Sequence, residues 1–235
     1  METLLSKVHG CLAGVQIGDA LGMPVETMTG DEIKNLNGGL GVIDFMNPVQ
    51  RKIPEMMSLR AGDTTDDWQL TRVVADSLIA CKGWNRIDCA ERHVEALKKS
   101  TFGWGKTTET AIRDLMAGTR NLNLPPRDLG PNRGCGNGVI MKIAPLALWF
   151  AIKAYGEEER GDFIYCPPRE LLTACMELSS ITHPDPRAGI SAFAVAHLIF
   201  DSFTNSSGLM PHVLEAEHRY PTAEGIETVS SRLSK

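Results

Sequence analysis

The sequence contains few of the residues that build β-sheets. Aromatic residues make up 6% of its 235 residues, while 22 glycines are present. Aromatic and β-branched residues concentrate in strands, and no segment shows a convincing alternation of apolar and polar residues. The composition therefore argues against a β-sandwich and favours closely packed helices, so we expect an all-α protein.

Several signals of other protein classes are also missing. The six cysteines form no Cys-x-x-Cys pair, and the N-terminal residues METLLSKVHG lack the apolar core of a signal peptide. The longest uninterrupted apolar run, residues 143–152, contains Pro145 and is too short to cross a membrane. The net charge is −5 and no Lys/Arg run stands out, which gives no reason to expect a nucleic-acid partner. We expect a cytoplasmic protein with reduced thiols that binds neither nucleic acid nor a membrane.

The chain is expected to form one domain over residues 1–235, because no linker, repeat or low-complexity segment divides it. The first helix is predicted at about residues 3–21. Glycines recur in it at every fourth position, at Gly10, Gly14, Gly18 and Gly22, and therefore lie on one face of the helix. Interior glycines destabilise a helix by about 0.5–1 kcal/mol each, so this glycine face predicts the close approach of another backbone or a ligand.

Residues 27–60 show few helix signals and are predicted to form a lid or binding loop.

Further helices are predicted from the helical spacing of apolar residues and from glycine and proline at the boundaries. Residues 119–137 are predicted to be a loop, and short amphipathic helices are predicted in the last 25 or so residues. The other predictions are a helix that follows Thr65 and stops at Gly83, one at about 87–98, one ended by Gly118, one begun or interrupted at Pro145, one that precedes His183, and one with Asp185 as N-cap and Pro186 as its first residue.

The segment Thr64-Thr65-Asp66-Asp67 has two interpretations. In the first it is a capping box, in which Thr64 is the N-cap of a helix and the side chain of Asp67, three residues later, bonds back to the N-cap backbone. In the second it is half of a metal site. Two adjacent carboxylates and a hydroxyl are hard oxygen ligands that suit Mg²⁺, Ca²⁺ or Mn²⁺ better than zinc, and a bound cation would relieve the repulsion between the acids.

Other candidate residues lie in loops and turns. Glu26 is either a solvated loop acid or a carboxylate that reaches a metal or acts as an acid or base. The turn at residues 134–138 offers backbone N–H groups to an anion such as a diphosphate, and the turn at residues 103–105 is similar. His183 is either a structural hydrogen-bonding group or a catalyst. Cys135 is interpreted as a buried, inert thiol rather than a nucleophile.

Five segments in this order resemble the ADP-ribosylglycohydrolase family, which includes the dinitrogenase-reductase-activating glycohydrolases and the ADP-ribosyl-acceptor hydrolases. They are GCLAGVQIGDALGMPVE, TTDDWQLT, GWGKTTETAI, GCGNGVIMKIAPLAL and SSITHPDPRAG. The resemblance implies an all-α fold of more than ten helices around a central cleft. It also implies hydrolysis of the glycosidic bond between ADP-ribose and a protein side chain such as arginine or serine, so that ADP-ribose or an ADP-ribosylated protein is the expected partner.

The resemblance also assigns residues. It implies a two-magnesium centre, with Mn²⁺ as an alternative cation, whose ligands here are Thr65, Asp66 and Asp67. Such cations can orient a sugar and lower the pKa of water. It makes Glu26 the catalytic acid near the scissile bond. The ADP-ribose-binding residues that it implies are Gly103, Gly105, Gly134, Cys135, Gly136, Asn137, Gly138 and His183.

The sequence departs from the family pattern in its C-terminal part. Family members carry a second acidic motif, Asp-x-Asp followed by Thr or Ser, which completes the metal site. The last aspartate here is Asp201, and no aspartate lies two residues away from it. We therefore expect a chain that lacks the C-terminal helices of the family, with self-association or a second chain to cover the missing part.

Two functions stay open after this comparison. The chain is either a Mg²⁺-dependent ADP-ribosyl hydrolase or a catalytically impaired relative that binds ADP-ribose or serves a structural role. A magnesium-diphosphate lyase of the terpenoid kind is disfavoured, because Asp63-x-x-Asp66-Asp67 reverses the spacing of the DDxxD cluster that those enzymes use.

Overall fold

A computed structural model describes residues 4–49, 54–100, 102–122, 134–158 and 169–204 of the chain. Within these ranges the protein contains helices and turns and no strand, which confirms the all-α prediction. No helix in the same ranges is long and apolar enough to cross a membrane. The α-helices described are α1 (Leu4–Gly22), α2 (Gly30–Lys34), α3 (Asp66–Cys81), α4 (Arg86–Lys99), α5 (Lys106–Met116), α6 (Ala144–Glu158), α7 (Arg169–Thr182) and α8 (Pro186–Thr204).

Helix α6 lies at the centre of the fold. It packs against α1, α3, α7 and α8, and its residues Leu146, Ala147 and Ala151 are fully buried. The N-terminal two-thirds of α6 is almost entirely apolar, and such a segment is stable in water only when other helices cover it. From α3, Leu70 and Val74 are equally buried and join the same core. The core therefore fixes α3, which carries the acidic cluster, against the central helix.

Local sequence signals account for most helix ends. Asp185 precedes α8, and its Oδ1 accepts a hydrogen bond from the backbone N–H of Arg187 at 2.9 Å, as expected of an N-cap. Gly118 follows α5 with φ +70°, a conformation that favours glycine. Pro145 is the second residue of α6, where its missing N–H has no consequence for the helix. These three predicted boundaries are confirmed.

The segment predicted as a long loop contains a short helix. Thr29 and Glu32 form a capping box at the start of α2: Glu32 N–H donates to the Thr29 hydroxyl at 3.3 Å, and the Thr29 N–H donates to the Glu32 carboxylate at 2.6 Å. Turns of 3₁₀ helix follow at Leu36–Gly39 and Pro54–Ser58. The prediction missed α2 because five residues are too few to show helical periodicity.

The glycine face of α1 has no close neighbour among the described residues. A Cβ placed on any of its four glycines would meet no atom within 4 Å, and all four residues are exposed. The predicted close approach to this face is therefore not seen in the described part of the chain. The predicted helices of the last 25 residues, and most of the loop predicted at 119–137, lie outside the described residues.

Candidate functional site

The acidic cluster lies at the N-terminus of α3. Thr65 is the N-cap residue, and Asp66 and Asp67 are the first two residues of the helix. Thr65 and Asp66 are buried, with 7% and 8% of their surface exposed. The capping box proposed for Thr64 is not formed, because the helix begins one residue later than that interpretation requires. The N-cap side chain of Thr65 accepts no hydrogen bond from the helix backbone either.

An aspartate on another helix performs the capping instead. Asp19 of α1 accepts hydrogen bonds from the backbone N–H of Thr65 at 2.8 Å, from the Thr65 hydroxyl at 2.7 Å and from the backbone N–H of Trp68 at 3.1 Å. It thereby satisfies donors that the first turn of a helix leaves unpaired. Sequence reasoning missed Asp19, although a signal existed, since it is the one acidic residue in α1.

The cluster concentrates negative charge, which shifts the pKa values of its members. Burial and then the charge of Asp67 raise the pKa of Asp66 to about 7, and Glu26 and Asp19 add to the rise. Burial, followed by Asp19, also raises the pKa of Asp67. Partial desolvation, followed by Asp67 and Asp19, raises the pKa of Glu26, whose side chain is exposed. Glu26 is thus electrostatically part of the cluster rather than an isolated loop acid.

These residues fit a divalent cation only in part. A cation would lower the free energy of the repelling carboxylates, and Mg²⁺ commonly binds through one or two carboxylates while keeping several waters. However, the described residues include no group of three or more His, Cys, Asp or Glu side chains arranged to hold a metal. The chemistry of the donors therefore suits Mg²⁺, and the described residues could supply only part of a coordination shell.

The turn before α5 packs directly on the acidic cluster. A Cβ on Gly103, which has φ +77°, would lie 2.8 Å from Asp66 Oδ1 and 3.1 Å from Thr65 Cβ. The buried Trp104 attaches this turn to α3 by donating its indole N–H to Gln69 Oε1 at 2.8 Å. Gly105, by contrast, has no neighbour within 4 Å of a Cβ and is exposed. Only glycine allows the chain to approach Asp66 so closely at position 103.

The second glycine turn packs against His183. A Cβ on Gly138 would lie 3.0 Å from His183 Nε2, and one on Gly134 would collide with Thr107 Cγ2 and lie 3.1 Å from His183 Cδ2. A Cβ on Gly136 would lie at an ordinary contact distance, 3.7 Å, from His183 Nε2. The structure thus brings His183 together with three glycines that the sequence analysis grouped with it. Two further residues of the turn, Cys135 and Asn137, are exposed.

The position of Cys135 corrects one interpretation. The thiol was expected to be buried and inert, but the residue is exposed. The reason is local: a Cβ on either flanking glycine would approach His183, whereas the residue between them lies at the surface. Its solvent contact alone assigns it no role.

A buried cationic region surrounds His183. Lys142 has no exposed surface, and its Nζ lies 3.2 Å from both His93 Nε2 and Thr182 Oγ1. Arg120 is also buried and donates to the carbonyl oxygen of Ser180 at 2.8 Å. Desolvation, followed by the charges of Lys142 and Arg120, lowers the pKa of His183 to about 4. The histidine is therefore neutral at physiological pH.

Sequence reasoning also missed this region. Lys142 is the single charged residue between the glycine turn and Trp149, in the segment GVIMKIAPLALW. A lone lysine within a buried apolar run must find hydrogen-bond partners, and that is the signal that was available. Its partner His93 lies 49 residues away in sequence, so spacing along the chain gave no indication of it.

The first turn of α5 joins the acidic and cationic regions. Gly103, just before the helix, contacts Asp66, while Thr107 and Thr108 contact the turn at Gly134 and Gly138. The charge of Asp66 in turn raises the pKa of Lys142, which burial lowers to about 8. The acidic cluster and the region around His183 are therefore continuous, and they form a negative half and a positive half of one candidate site.

A separate groove of about 630 Å³ opens beside α3 and α4. It is lined at one end by Thr64, Thr65 and Phe102, so it begins at the edge of the acidic cluster. It includes neither His183 nor the glycines of the second turn. The groove therefore adjoins the negative half of the site and is distinct from the positive half.

Comparison with known proteins defines the class to which this fold and site belong. The family model for ADP-ribosylglycohydrolases matches residues 1–235. The chain therefore belongs to the ADP-ribosylglycohydrolase family. A solved structure titled "ADP-ribosylglycohydrolase-related protein complex" superposes with a TM-score of 0.61 over 95% of this chain and 64% of that chain, at 22% identity. That likeness supports the fold.

Individual relatives are similar over part of their length. The chain is 27% identical over 150 residues to the ADP-ribosylhydrolase ARH3 of Mus musculus, covering 63% of this chain and 40% of the relative. It is 30% identical over 145 residues to the ADP-ribosyl-[dinitrogen reductase] glycohydrolase of Rhodospirillum rubrum, covering 60% of this chain and 44% of the relative. The match spans less than half the length of these relatives.

Proposed function

We propose that this chain contributes to a Mg²⁺-dependent hydrolase that cleaves the glycosidic bond between ADP-ribose and a modified protein side chain. The observation that carries the proposal is the acidic cluster at the start of α3, where burial and neighbouring carboxylates raise the pKa of Asp66 to about 7. Perturbed carboxylates of this kind concentrate at functional sites. Membership of the ADP-ribosylglycohydrolase family supports the reaction class.

In this proposal the negative half holds the cations. Thr65, Asp66 and Asp67 supply oxygen ligands, and Asp19 fixes Thr65 through two hydrogen bonds. Bound Mg²⁺ would polarise ribose oxygens and lower the pKa of a water. Glu26 is the proton-transfer group: the raised pKa of its exposed carboxyl lets it retain or accept a proton nearer to neutral pH than a free glutamate does.

The positive half is proposed to receive the diphosphate and the adenosine side of ADP-ribose. The turn at 134–138 offers backbone N–H groups, and Lys142 and Arg120 add positive charge behind His183. Among the described residues, the hydrogen-bond partners of these two buried cations are uncharged groups, which favours an anionic ligand nearby. The turn at 103–105 would place the intervening ribose beside Asp66.

The test is release of ADP-ribose from peptides modified on arginine and on serine, in excess Mg²⁺ and in EDTA. We expect Mg²⁺-dependent release that Asp66→Asn and Asp67→Asn reduce by at least about a hundredfold. Asp76→Asn, at an exposed position on the same helix, is the matched control and is expected to keep wild-type turnover. Release that persists in EDTA, or in both cluster variants, would refute the proposal.

A second candidate function is ADP-ribose binding without turnover. The observation that favours it is the lack of a three-ligand metal group among the described residues. Calorimetry with ADP-ribose separates the two candidates, because the non-catalytic protein binds it equally well with and without Mg²⁺. Metal-enhanced affinity together with turnover favours the hydrolase.

A further inference from the structure

A continuous chain of hydrogen bonds runs from the centre of the fold to the glycine turn. His93 Nδ1 lies 2.7 Å from the carbonyl oxygen of Cys89. Lys142 Nζ lies 3.2 Å from His93 Nε2 and 3.2 Å from Thr182 Oγ1. Thr182 Oγ1 in turn lies 2.9 Å from His183 Nδ1. All the side chains that take part in these hydrogen bonds are buried, so water does not compete for their donors and acceptors.

The direction of each bond follows from the chemistry of its groups. A carbonyl oxygen only accepts, so His93 carries its proton on Nδ1 and presents Nε2 as an acceptor. The amine of Lys142 only donates when protonated, and it therefore donates to His93 Nε2 and to the Thr182 oxygen. Burial, followed by the charge of Lys142, lowers the pKa of His93 to about 3, which keeps this ring neutral and consistent with that assignment.

The proton still to be assigned among these hydrogen bonds is that of the Thr182 hydroxyl. Its oxygen accepts from Lys142, and among the described residues His183 Nδ1 is the acceptor within reach of its O–H. His183 Nδ1 is then unprotonated, and the single proton of the neutral ring lies on Nε2. That nitrogen faces the turn, since a Cβ on Gly138 or Gly136 would lie 3.0 or 3.7 Å from it.

We infer that Lys142 and Thr182 are positioning residues that fix the tautomer of His183 and so present its Nε2–H as a hydrogen-bond donor at the glycine turn. The inference rests on the proposed function in one respect, namely that the acceptor for this donor is an oxygen of ADP-ribose. A donor fixed in advance binds an anionic oxygen without having to reorganise. Without these hydrogen bonds, His183 can adopt the other tautomer, in which an unprotonated Nε2 faces the glycine turn and repels an anion.

The test measures the tautomer of each histidine ring by long-range ¹H–¹⁵N correlation spectra of the ¹⁵N-labelled chain. His183→Gln serves only to assign the His183 signals. In the wild type we expect the His93 proton on Nδ1 and the His183 proton on Nε2, with His183 Nδ1 at the frequency of a hydrogen-bonded acceptor. A proton on Nε2 of His93, or on Nδ1 of His183, would overturn the inference without any variant.

Variants of Thr182 separate positioning from packing. Thr182→Val keeps the shape but removes the hydroxyl, whereas Thr182→Ser keeps the hydroxyl. We expect Thr182→Val to shift the His183 Nδ1 resonance to that of a free acceptor, to populate the other tautomer measurably, and to weaken ADP-ribose binding about tenfold. Thr182→Ser is expected to match the wild type. The His93 signals, unchanged in both variants, report that the fold is intact.

Lys142→Met tests the first link in the same way, and it is expected to change the His93 Nε2 and His183 Nδ1 resonances together. A wild-type His183 signal in Thr182→Val and in Lys142→Met would refute the positioning role. The experiment distinguishes a failure of the proposed function from a failure of the hydrogen-bond assignment. If the tautomers are as assigned but millimolar ADP-ribose does not shift the His183 signals, the proposed function is refuted and the hydrogen-bond assignment is retained.

Discussion

The hydroxyl of Thr65 donates a hydrogen bond of 2.7 Å to Asp19, a residue of a different helix. The same carboxylate accepts two backbone N–H groups of the first turn of α3. The first turn of α3 is therefore capped by a residue of another helix. The capping carboxylate of Asp19 also lies close enough to raise the pKa values of Asp66 and Asp67.

Removing the external cap is expected to destabilise the fold. Asp19→Ala deletes three charge-assisted hydrogen bonds, so the free energy of unfolding at pH 7 should fall by about 1–3 kcal/mol. Urea denaturation at fixed temperature measures it. Asp76→Ala, at an exposed position on α3, is the control, with an expected change within about 0.5 kcal/mol. Equal midpoints for the two variants would contradict the capping role.

The raised pKa of Asp66 predicts a specific pH dependence. Its folded pKa, about 7, lies above its ordinary value of 3.8, so between these values the folded state binds the proton more tightly than the unfolded state. The contribution of this group is present below pH 4 and is lost as pH rises towards 7, at up to about 1.4 kcal/mol per pH unit.

His93 and His183 have lowered pKa values and act in the opposite direction over the same range. The prediction therefore concerns the difference between two proteins. In urea titrations without metal at pH 4.5, 5.5, 6.5 and 7.5 (about one unit apart across the window), Asp66→Asn should gain stability relative to the wild type as pH rises. A difference that stays constant with pH would show that Asp66 titrates normally.

Binding of Mg²⁺ is expected to reverse the loss caused by the acidic cluster. Because the cation binds the folded state alone, it should raise the melting temperature of the wild type by a few degrees at pH 7.5, measured by calorimetry. Asp66→Asn and Asp67→Asn should lose the shift, and Asp76→Asn should retain it. The same shift in all four proteins would assign the metal effect to some other site.

The two glycine turns supply a matched pair of substitutions. Gly138→Ala places a Cβ 2.5 Å from His183 Cε1, and we expect a loss of about 1–3 kcal/mol in the free energy of unfolding together with weaker ADP-ribose binding. Gly105→Ala meets no atom within 4 Å and should change stability by less than about 1 kcal/mol. Thermal melts and calorimetric titration of both variants check the contrast. Similar losses in the two would mean that crowding at His183 is not the cause.

Much of the fold was predictable because its signals are local. The N-cap Asp185, the terminal Gly118 and the apolar run of α6 each act within a few residues of themselves, and each prediction agrees with the structure. Helix α2 has an equally local signal, the capping box of Thr29 and Glu32. It was missed because its single turn carries no apolar periodicity to draw attention to it.

The site could be predicted only in part, because its decisive contacts join distant positions. The grouping of Asp66 with Asp67 follows from adjacency, but the contribution of Asp19 depends on the packing of α1 against α3. The link from Lys142 to His183 through Thr182 depends likewise on how α7 meets the segment before α6. Motif spacing contains no information on such tertiary contacts, so it identified the ends of the site and left out what connects them.

The first turn of α5 makes the two charged halves of the site mechanically dependent on each other. Gly103 fixes the distance to Asp66 on one side, and Thr107 fixes the distance to Gly134 on the other. A Cβ at Gly103 or at Gly134 would overlap these neighbours, so both approaches are close, and we expect an axial shift of α5 to alter them together. A substitution chosen to adjust the proposed nucleotide affinity is therefore also expected to disturb the proposed cation ligands.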